Sequence, residues 1–327
     1  MNKAVKYRLY PTTEQKIMFV KTFGCCRKVY NLMLADKIAC YKKTKSFGKQ
    51  TPAMYKAEYP FLKEVDSLAL ANVQLNLQSA LKNCFDKSRK RQNGFPKFKS
   101  AKHSRKSYTT NNQKGTVAII DDRYIKLPKI GKIKAVIHRK PDADWTIKSA
   151  TISQDSDGKF YVSILFEYEK AITPAIISDN AVGIDYKSDG LYMDSNGYCP
   201  FGHKYYRQNQ EKLAQAQRKL KHMAIGSNNY KKQQCKIAKI QKHTSNQRLD
   251  FLHKESTKIT NLYDIVCVET LDMKAMSNKA FGNGKATMDN GYGMFLNMLE
   301  YKLANRGKYF VKVDKWYPSS QLCSCCG

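Results

Sequence analysis

Two carboxylates in this sequence stand where a hydrolytic metal centre would need them. Asp185 closes the apolar run Ala181-Val182-Gly183-Ile184 within VGIDYKSDGLYMDSNG, an apparent strand-turn-strand. Glu269 follows Ile265, Val266 and Val268 in DIVCVETLDM, which mark a buried central strand. Hydrolysis of phosphodiesters by a pair of Mg²⁺ ions about 3.5 to 4 Å apart requires several carboxylates converging from different strands and helices. Acids beside apolar strands can converge in this way, although these two are 84 residues apart in the chain. Taken singly, each has an ordinary alternative as a solvated strand end or a partner for one of the many lysines.

The second group with chemistry is the terminal Cys323-Ser324-Cys325-Cys326-Gly327, in which Cys323 and Cys326 have C-x-x-C spacing. A structural zinc site takes four tetrahedral ligands, so this pair is half of one, and no second C-x-x-C lies upstream. Cys25 and Cys26 are adjacent rather than spaced, and they read as core. The remaining cysteines are scattered (Cys40, Cys84, Cys199, Cys235, Cys267) and are expected to be reduced core thiols rather than a disulfide framework.

Charge names the partner class. Lys and Arg number 58 against 27 Asp and Glu, a net charge of +31, and a compact protein with that excess repels itself unless a polyanion neutralises it. Two tracts concentrate the charge. In residues 87 to 106 nine of twenty are Lys or Arg, with Phe95 and Phe98 interleaved; Arg89, Lys90, Arg91, Lys97 and Lys99 suit phosphate contact, and the two rings suit base stacking. Residues 204 to 258 hold 14 Lys and Arg against three acids. They form two helical stretches separated near Gly226-Ser227-Asn228, with Arg207, Arg218, Lys219, Lys232 and Lys236 as candidate backbone contacts. The bland alternatives are solvated surface for each tract and non-selective counterion release for the whole. No stretch approaches 18 consecutive apolar residues and MNKAVKYRLYP lacks the apolar core of a secretory signal, so the expected location is the cytoplasm, at the nucleoid, with no membrane partner.

Several elements must position these groups. KAVKYRLY at 3 to 10 alternates as a strand, and Pro11-Thr12-Thr13-Glu14 supplies a turn and helix start. Phe19, Phe23, Cys26, Tyr30 and Met33 then form one helical stripe, and Leu70, Val73, Leu77, Leu81 and Cys84 a second after a Ser67 cap. From 107 to 169 the period becomes two, clearest in Phe160, Val162, Ile164 and Phe166, with short runs at 117 to 120, 124 to 127 and 132 to 138. This reads as a β-rich barrel or sandwich that the opening strand joins. ITPAIISDN, 172 to 180, reads as a linker into a further domain.

KAVKYRLYPTTEQ, FGCCRKVYN, GFPKFKS, VGIDYKSDGLY, VCVETLDMKAM and SSQLCSCCG, in that order, resemble the TnpB family of transposon-encoded RNA-guided nucleases. This family is also called the OrfB family of insertion sequences and is related to compact type V CRISPR effectors. The resemblance runs essentially from end to end. It implies an α+β multidomain protein. Residues 1–13 plus 107–171 would form a wedge-type β-barrel and 14–106 an inserted helical recognition module. Residues 179–327 would form a RuvC nuclease domain of RNase H-like α/β fold, including the basic helical hairpin 204–258 and half of a zinc ribbon at 319–327.

The resemblance also implies that Asp185 and Glu269 are catalytic Mg²⁺ ligands and that Cys323 and Cys326 bind structural Zn²⁺. The implied partners are a guide RNA from the transposon end and double-stranded target DNA beside a short flanking motif. Family members carry a second cysteine pair and a third catalytic Asp further on, so the chain is expected to be C-terminally truncated and its cleavage impaired. Asp189, Asp194 and Asp272 do not match the place of that third acid, and Thr270 stands where relatives usually have an acid. The alternatives to an RNA-guided endonuclease are a nuclease-deficient guided DNA-binding protein and a decayed transposase-family remnant.

Overall fold

In a computed structural model the chain divides into two compact units, Met1–Lys170 and Ala171–Gly327, and residues 1–86, 94–174, 179–278, 284–314 and 317 are described.

The first unit opens with strand β1 (Asn2–Tyr10), whose alternation buries Val5, Tyr7 and Leu9. Thr12 then caps helix α1 (Thr13–Thr44) in a capping box with Gln15, which satisfies two N-terminal groups reciprocally. The expected stripe Phe19, Phe23, Cys26, Tyr30 and Met33 is buried throughout. Helix α2 (Ser67–Phe85) begins one residue earlier than expected, because Asp66 and not Ser67 is its cap. The Asp66 carboxylate accepts from the Leu68 N–H at 3.1 Å and from the Thr110 hydroxyl, so one acid both starts α2 and ties it to strand β2 (Ser107–Asn111). On α2, Leu70, Val73, Leu77 and Leu81 are buried, whereas Cys84 is only half-buried.

The sheet continues with β3 (Ala118–Ile120), β4 (Tyr124–Leu127), β5 (Gly131–Val136), β6 (Thr146–Gln154) and β7 (Phe160–Glu167). All seven strands pair antiparallel in the order β2-β6-β7-β1-β5-β4-β3. The opening strand is therefore central: Asn2 to Leu9 run against Glu167 to Phe160, and Arg8 to Tyr10 also pair with Val136 to Lys134. β2 and β3 are the edges, so among the described residues the sheet curls without a ladder joining its two ends. Phe19 of α1 stacks on Phe160 of β7 at 5.3 Å between ring centroids, which seats the helix on the sheet.

The second unit has strands β8 (Ala181–Tyr186), β9 (Tyr192–Asp194), β10 (Ile265–Glu269) and β11 (Tyr309–Val313) in the order β11-β10-β8-β9. β10 is parallel to both β8 and β11, and β9 is antiparallel to β8. Between the strands run α3 (Tyr205–Lys221), α4 (Asn228–Leu262), the short α5 (Met273–Met276) and α6 (Gly284–Asn290), and α7 (Tyr292–Ala304). Val182, Ile184, Val266 and Val268 form the buried strand face, in one cluster with Leu252 and Ile259 of α4 and Phe295, Leu299 and Leu303 of α7. Each such side chain stabilises the fold by roughly 1.5–3 kcal/mol. No helix among the described residues is long and apolar enough to cross a membrane.

A lysine joins α7 to α4. The Lys302 ammonium donates to the His253 carbonyl at 2.8 Å and to the Ser256 and Thr257 hydroxyls at 2.7 Å each. Burial, with Arg306 beside it, pulls its pKa down to about 8. Unfolded lysine titrates near pH 10.4, so between pH 8 and 10 this lysine binds more protons in the unfolded chain and its own contribution to stability rises with pH. The opposite sign comes from the Cys25 and Cys26 thiols and, above pH 10, from the Tyr192 and Tyr292 phenols, which burial holds protonated in the folded state while their unfolded counterparts ionise. Thermal melts from pH 7.5 to 9.5 are expected to show the parent's midpoint rising relative to that of Lys302→Met.

Candidate functional site

The parallel pairing of β8 with β10 places the two sequence-marked acids together. Ile184 pairs with Val268, and one residue further on Asp185 and Glu269 leave the same end of neighbouring strands, whose backbones run about 4.8 Å apart. Alternation sets both on the face opposite the buried Ile184 and Val268. They line one cavity of about 300 Å³ with Gly183, Met193, Cys267 and Val313. Asp185 is exposed and Glu269 half-buried, so the Asp185 carboxylate at this strand end is open to an incoming ligand. The Thr270 hydroxyl donates to the Val313 carbonyl at 2.6 Å, which pins the end of β10 to the end of β11 beside the cavity.

The other acids considered as ligands have different work. Asp194 lines the same cavity, but its carboxylate accepts from the N–H groups of Asn196 at 3.0 Å and Tyr198 at 2.8 Å and closes the turn through Gly197. Asp272 accepts from the Ala275 N–H at 3.0 Å at the start of α5. Asp189 borders a separate cavity with Lys187, Lys204 and Arg207. Among the described residues no three side chains of metal-binding type cluster together.

Sequence reasoning missed Tyr292, whose ring packs at 5.0 Å from Tyr186 on β8. Its buried hydroxyl has no hydrogen-bond partner among the described residues. Burial pushes this phenol up, and the charges of Asp185 and Glu269 add to the shift. A lone aromatic at the start of a helix carries no signal of that position.

α3 and α4 form the basic hairpin. Gly226, at φ 84°, makes the turn and Ser227 caps α4 by accepting from the Tyr230 N–H at 3.1 Å. Leu213, Ala216, Ile237 and Ile240 close the two helices on each other, and the Gln233 amide donates to the Ala216 carbonyl at 2.8 Å. Arg207, Arg218, Lys219, Lys232 and Lys236 are all exposed, as phosphate contacts must be.

The base of the hairpin is held by a second residue that the sequence did not reveal, Asp289 of α6. Its carboxylate accepts from the N–H groups of Tyr206 at 3.0 Å and Arg207 at 3.4 Å, supplying the cap that Lys204 does not give α3. It also pairs with the Arg248 guanidinium of α4 at 3.1 Å.

In the other basic tract, Phe95, Lys97 and Phe98 are exposed. Lys99 is engaged within the protein: its ammonium lies 3.9 Å from the Tyr30 ring centroid and its backbone exchanges two hydrogen bonds with the Asn31 side chain. Arg89, Lys90 and Arg91 lie outside the described residues, as do Cys323 and Cys326. Of the described cysteines only Cys25 and Cys26 are buried. Cys40, Cys84, Cys199, Cys235 and Cys267 are half-buried, so the expectation of core thiols holds for the adjacent pair and not for these five.

Three family descriptions match this chain: "Helix-turn-helix domain" over residues 1–46, "Probable transposase" over 163–280, and "Cas12f1-like, TNB domain" over 292–327. A protein of Streptomyces pristinaespiralis named "Putative RNA-guided DNA endonuclease" is 34% identical over 349 residues, spanning 100% of this chain and 81% of its own length. The chain belongs to the TnpB/OrfB family. A second TnpB-family relative, "Putative RNA-guided DNA endonuclease InsQ" of Escherichia coli K12, is 30% identical over 99% of this chain and 83% of its own length. Among solved structures, the "Cas12f1-sgRNA-target DNA complex" contains a chain with the same fold, at a TM-score of 0.61 and 13% identity, covering 100% of this chain and 92% of that one. The family's helix-turn-helix label does not describe residues 1–46 of this TnpB-family chain, which are strand β1 followed by the single 32-residue helix α1.

Proposed function

We propose that this TnpB-family protein is an RNA-guided DNA endonuclease in which Asp185 and Glu269 are the catalytic Mg²⁺ ligands. The observation that carries the reading is the exit of both carboxylates from neighbouring parallel strands into one cavity, in a chain whose relatives are named for guided DNA cleavage. The donor set fits the ion. Mg²⁺ takes oxygen ligands, commonly one or two carboxylates completed by waters and substrate phosphates, and Asp185 and Glu269 offer two carboxylates at an open strand end. Bound there, the ion supplies Lewis-acid polarisation of the phosphate and activation of water.

The chain's own residues do the rest. Asp185 and Glu269 would hold the ion at the strand ends, facing the scissile phosphate. The exposed cations of α3 and α4 track the sugar-phosphate backbones, while base pairing to the guide reads sequence. In this reading the partners are a guide RNA from the transposon end and duplex DNA beside a short flanking motif, met in the cytoplasm at the nucleoid. The second unit is then a RuvC-type domain, with Cys323 and Cys326 as two thiolates of a zinc ribbon. The curled sheet of the first unit is the wedge domain, and its helices are the recognition module.

A second reading, guided DNA binding without hydrolysis, is favoured by one observation: no third acid joins Asp185 and Glu269 as a metal cluster among the described residues. Both readings are tested together by loading the protein with RNA transcribed from its own transposon end and titrating matched and scrambled duplex DNA at several salt concentrations. Affinity for matched DNA alone, falling steeply with salt, is expected. Equal affinity for both sequences would overturn guided recognition.

A further inference from the structure

We propose that the cavity at the C-terminal ends of α1 and α2 is a pocket for an unpaired nucleotide, with Phe47 and Phe85 stacking on its base and Lys45, Lys49 and Lys82 meeting its phosphates. The proposal rests on the reading of this protein as nucleic-acid-binding and adds a site that the paired carboxylates and the α3–α4 hairpin do not provide.

The cavity measures about 840 Å³, within the range of small-molecule sites. Its wall is a run of rings drawn from separate segments. Tyr41 and Phe47 stack at 4.8 Å, Phe47 and Phe85 meet at 5.6 Å, and Phe85 meets Phe95 edge-on at 6.4 Å. Phe47 is half-buried against the core, but the other rings are not used up in this way: Tyr41 is 39% exposed, Phe85 51% and Phe95 42%. Phe95 belongs to the basic aromatic tract marked in the sequence, so that tract leads to the rim of this cavity.

The polar lining has one sign. Lys37, Lys45, Lys49 and Lys82 border the cavity, and among the described residues no Asp or Glu does. Lys37 has a separate task, since its buried ammonium donates to the Gly48 carbonyl at 2.7 Å and fixes the loop that carries Phe47. Lys45, Lys49 and Lys82 are exposed and free to meet phosphate. Gln74 and Gln78, four residues apart on one face of α2, bring amide donors and acceptors to the same cavity, as the edge of a base requires.

Aromatic walls with a cationic rim and amide groups match a nucleotide better than they match an apolar segment of protein, which would gain nothing from three solvated lysines. The nucleotide must be unpaired, because a base inside a duplex has both faces covered by its neighbours.

The test uses the full chain and two probes: a single-stranded oligonucleotide carrying one 2-aminopurine, and the same oligonucleotide fully paired. The parent is expected to quench the single-stranded probe on binding. Phe85→Leu and Phe47→Leu should each weaken that binding by about ten-fold, the size of one lost base–aromatic stack, and leave duplex affinity within about two-fold. Lys82→Gln should lower the salt slope for the single strand by about one.

Leucine keeps apolar volume at both positions, and a thermal melt reports folding. Should Phe47→Leu unfold, the half-exposed Phe85 decides the matter alone. Parent-like affinity of Phe85→Leu for the single-stranded probe overturns the pocket while leaving the wider nucleic-acid reading intact. An apolar protein segment as the true occupant would give that same outcome. A parent that binds neither probe overturns both readings together.

Discussion

Asp289→Ala is expected to destabilise the second unit by about 3–5 kcal/mol, the loss that follows when one partner of a buried ion pair is removed and the other charge is left behind. The Asp289 side chain is 2% exposed and that of Arg248 20%, so the orphaned guanidinium would regain only part of its hydration. Two further losses fall on the same substitution. The N–H groups of Tyr206 and Arg207 lose their acceptor, which costs about 1 kcal/mol for a helix cap, and the positive end of the α3 dipole loses its carboxylate. Calorimetry or a thermal melt should show a midpoint lowered by roughly 10 °C for a unit of this size. Asp289→Asn keeps an acceptor for the cap while losing the charge, and should fall between the two. A melt indistinguishable from the parent's would remove Asp289 as the clamp at the base of the basic hairpin.

The second large effect falls on chemistry rather than on stability. Replacing Asp185 or Glu269 by alanine leaves one of the two proposed ligands, while Asp194, the third acid lining the cavity, is held in its own turn; a single remaining ligand acid is a poor site for a divalent ion. Losing only a group that orients a metal ligand already costs about 10–100-fold in metal affinity or activity, so losing the ligand itself should cost on the order of 10³ or more. Mn²⁺ titration followed by electron paramagnetic resonance should show bound ion in the parent and nearly all ion free in either variant. Folding should be spared in Asp185→Ala, because the side chain is exposed at a strand end. Unchanged Mn²⁺ binding in both variants would detach the two acids from any metal role.

The carboxylate pair was legible in the sequence for a definite reason. Parallel strands buried in a sheet read as unbroken apolar runs, and in β8 and β10 an acid at the end of each run breaks the pattern conspicuously. The helical stripes of α1 and α2 were legible through their spacing of three and four. Where the reading slipped, the competing signal was local. Ser67 and Asp66 are both good caps, and only the tertiary bond from Thr110 to Asp66 favours the acid. Strand β6 was not anticipated because TIKSATISQ carries few apolar residues, yet antiparallel pairing on both sides buries Ala150 and Ile152.

Residues whose role is set by a distant partner left no trace in the chain. Asp289 reads as one polar residue in MDNGYG and acquires its meaning 83 residues away, at the start of α3. Tyr41, Phe47 and Phe85 sit in a helix, a loop and another helix, and become a wall only when α1 and α2 pack. The five other described cysteines show the converse error, since residue type alone suggested a burial that their places in helices, a loop and a strand do not provide.

The central claim, that Asp185 and Glu269 form the cation site for guided DNA hydrolysis, is tested most directly by single-turnover cleavage with binding followed in the same sample. Parent protein and Asp185→Ala, each carrying the same guide RNA, are mixed with matched duplex DNA and Mg²⁺. Both are expected to bind the DNA with equal affinity, and only the parent to cut it. Cleavage by Asp185→Ala at the parent rate would contradict the claim.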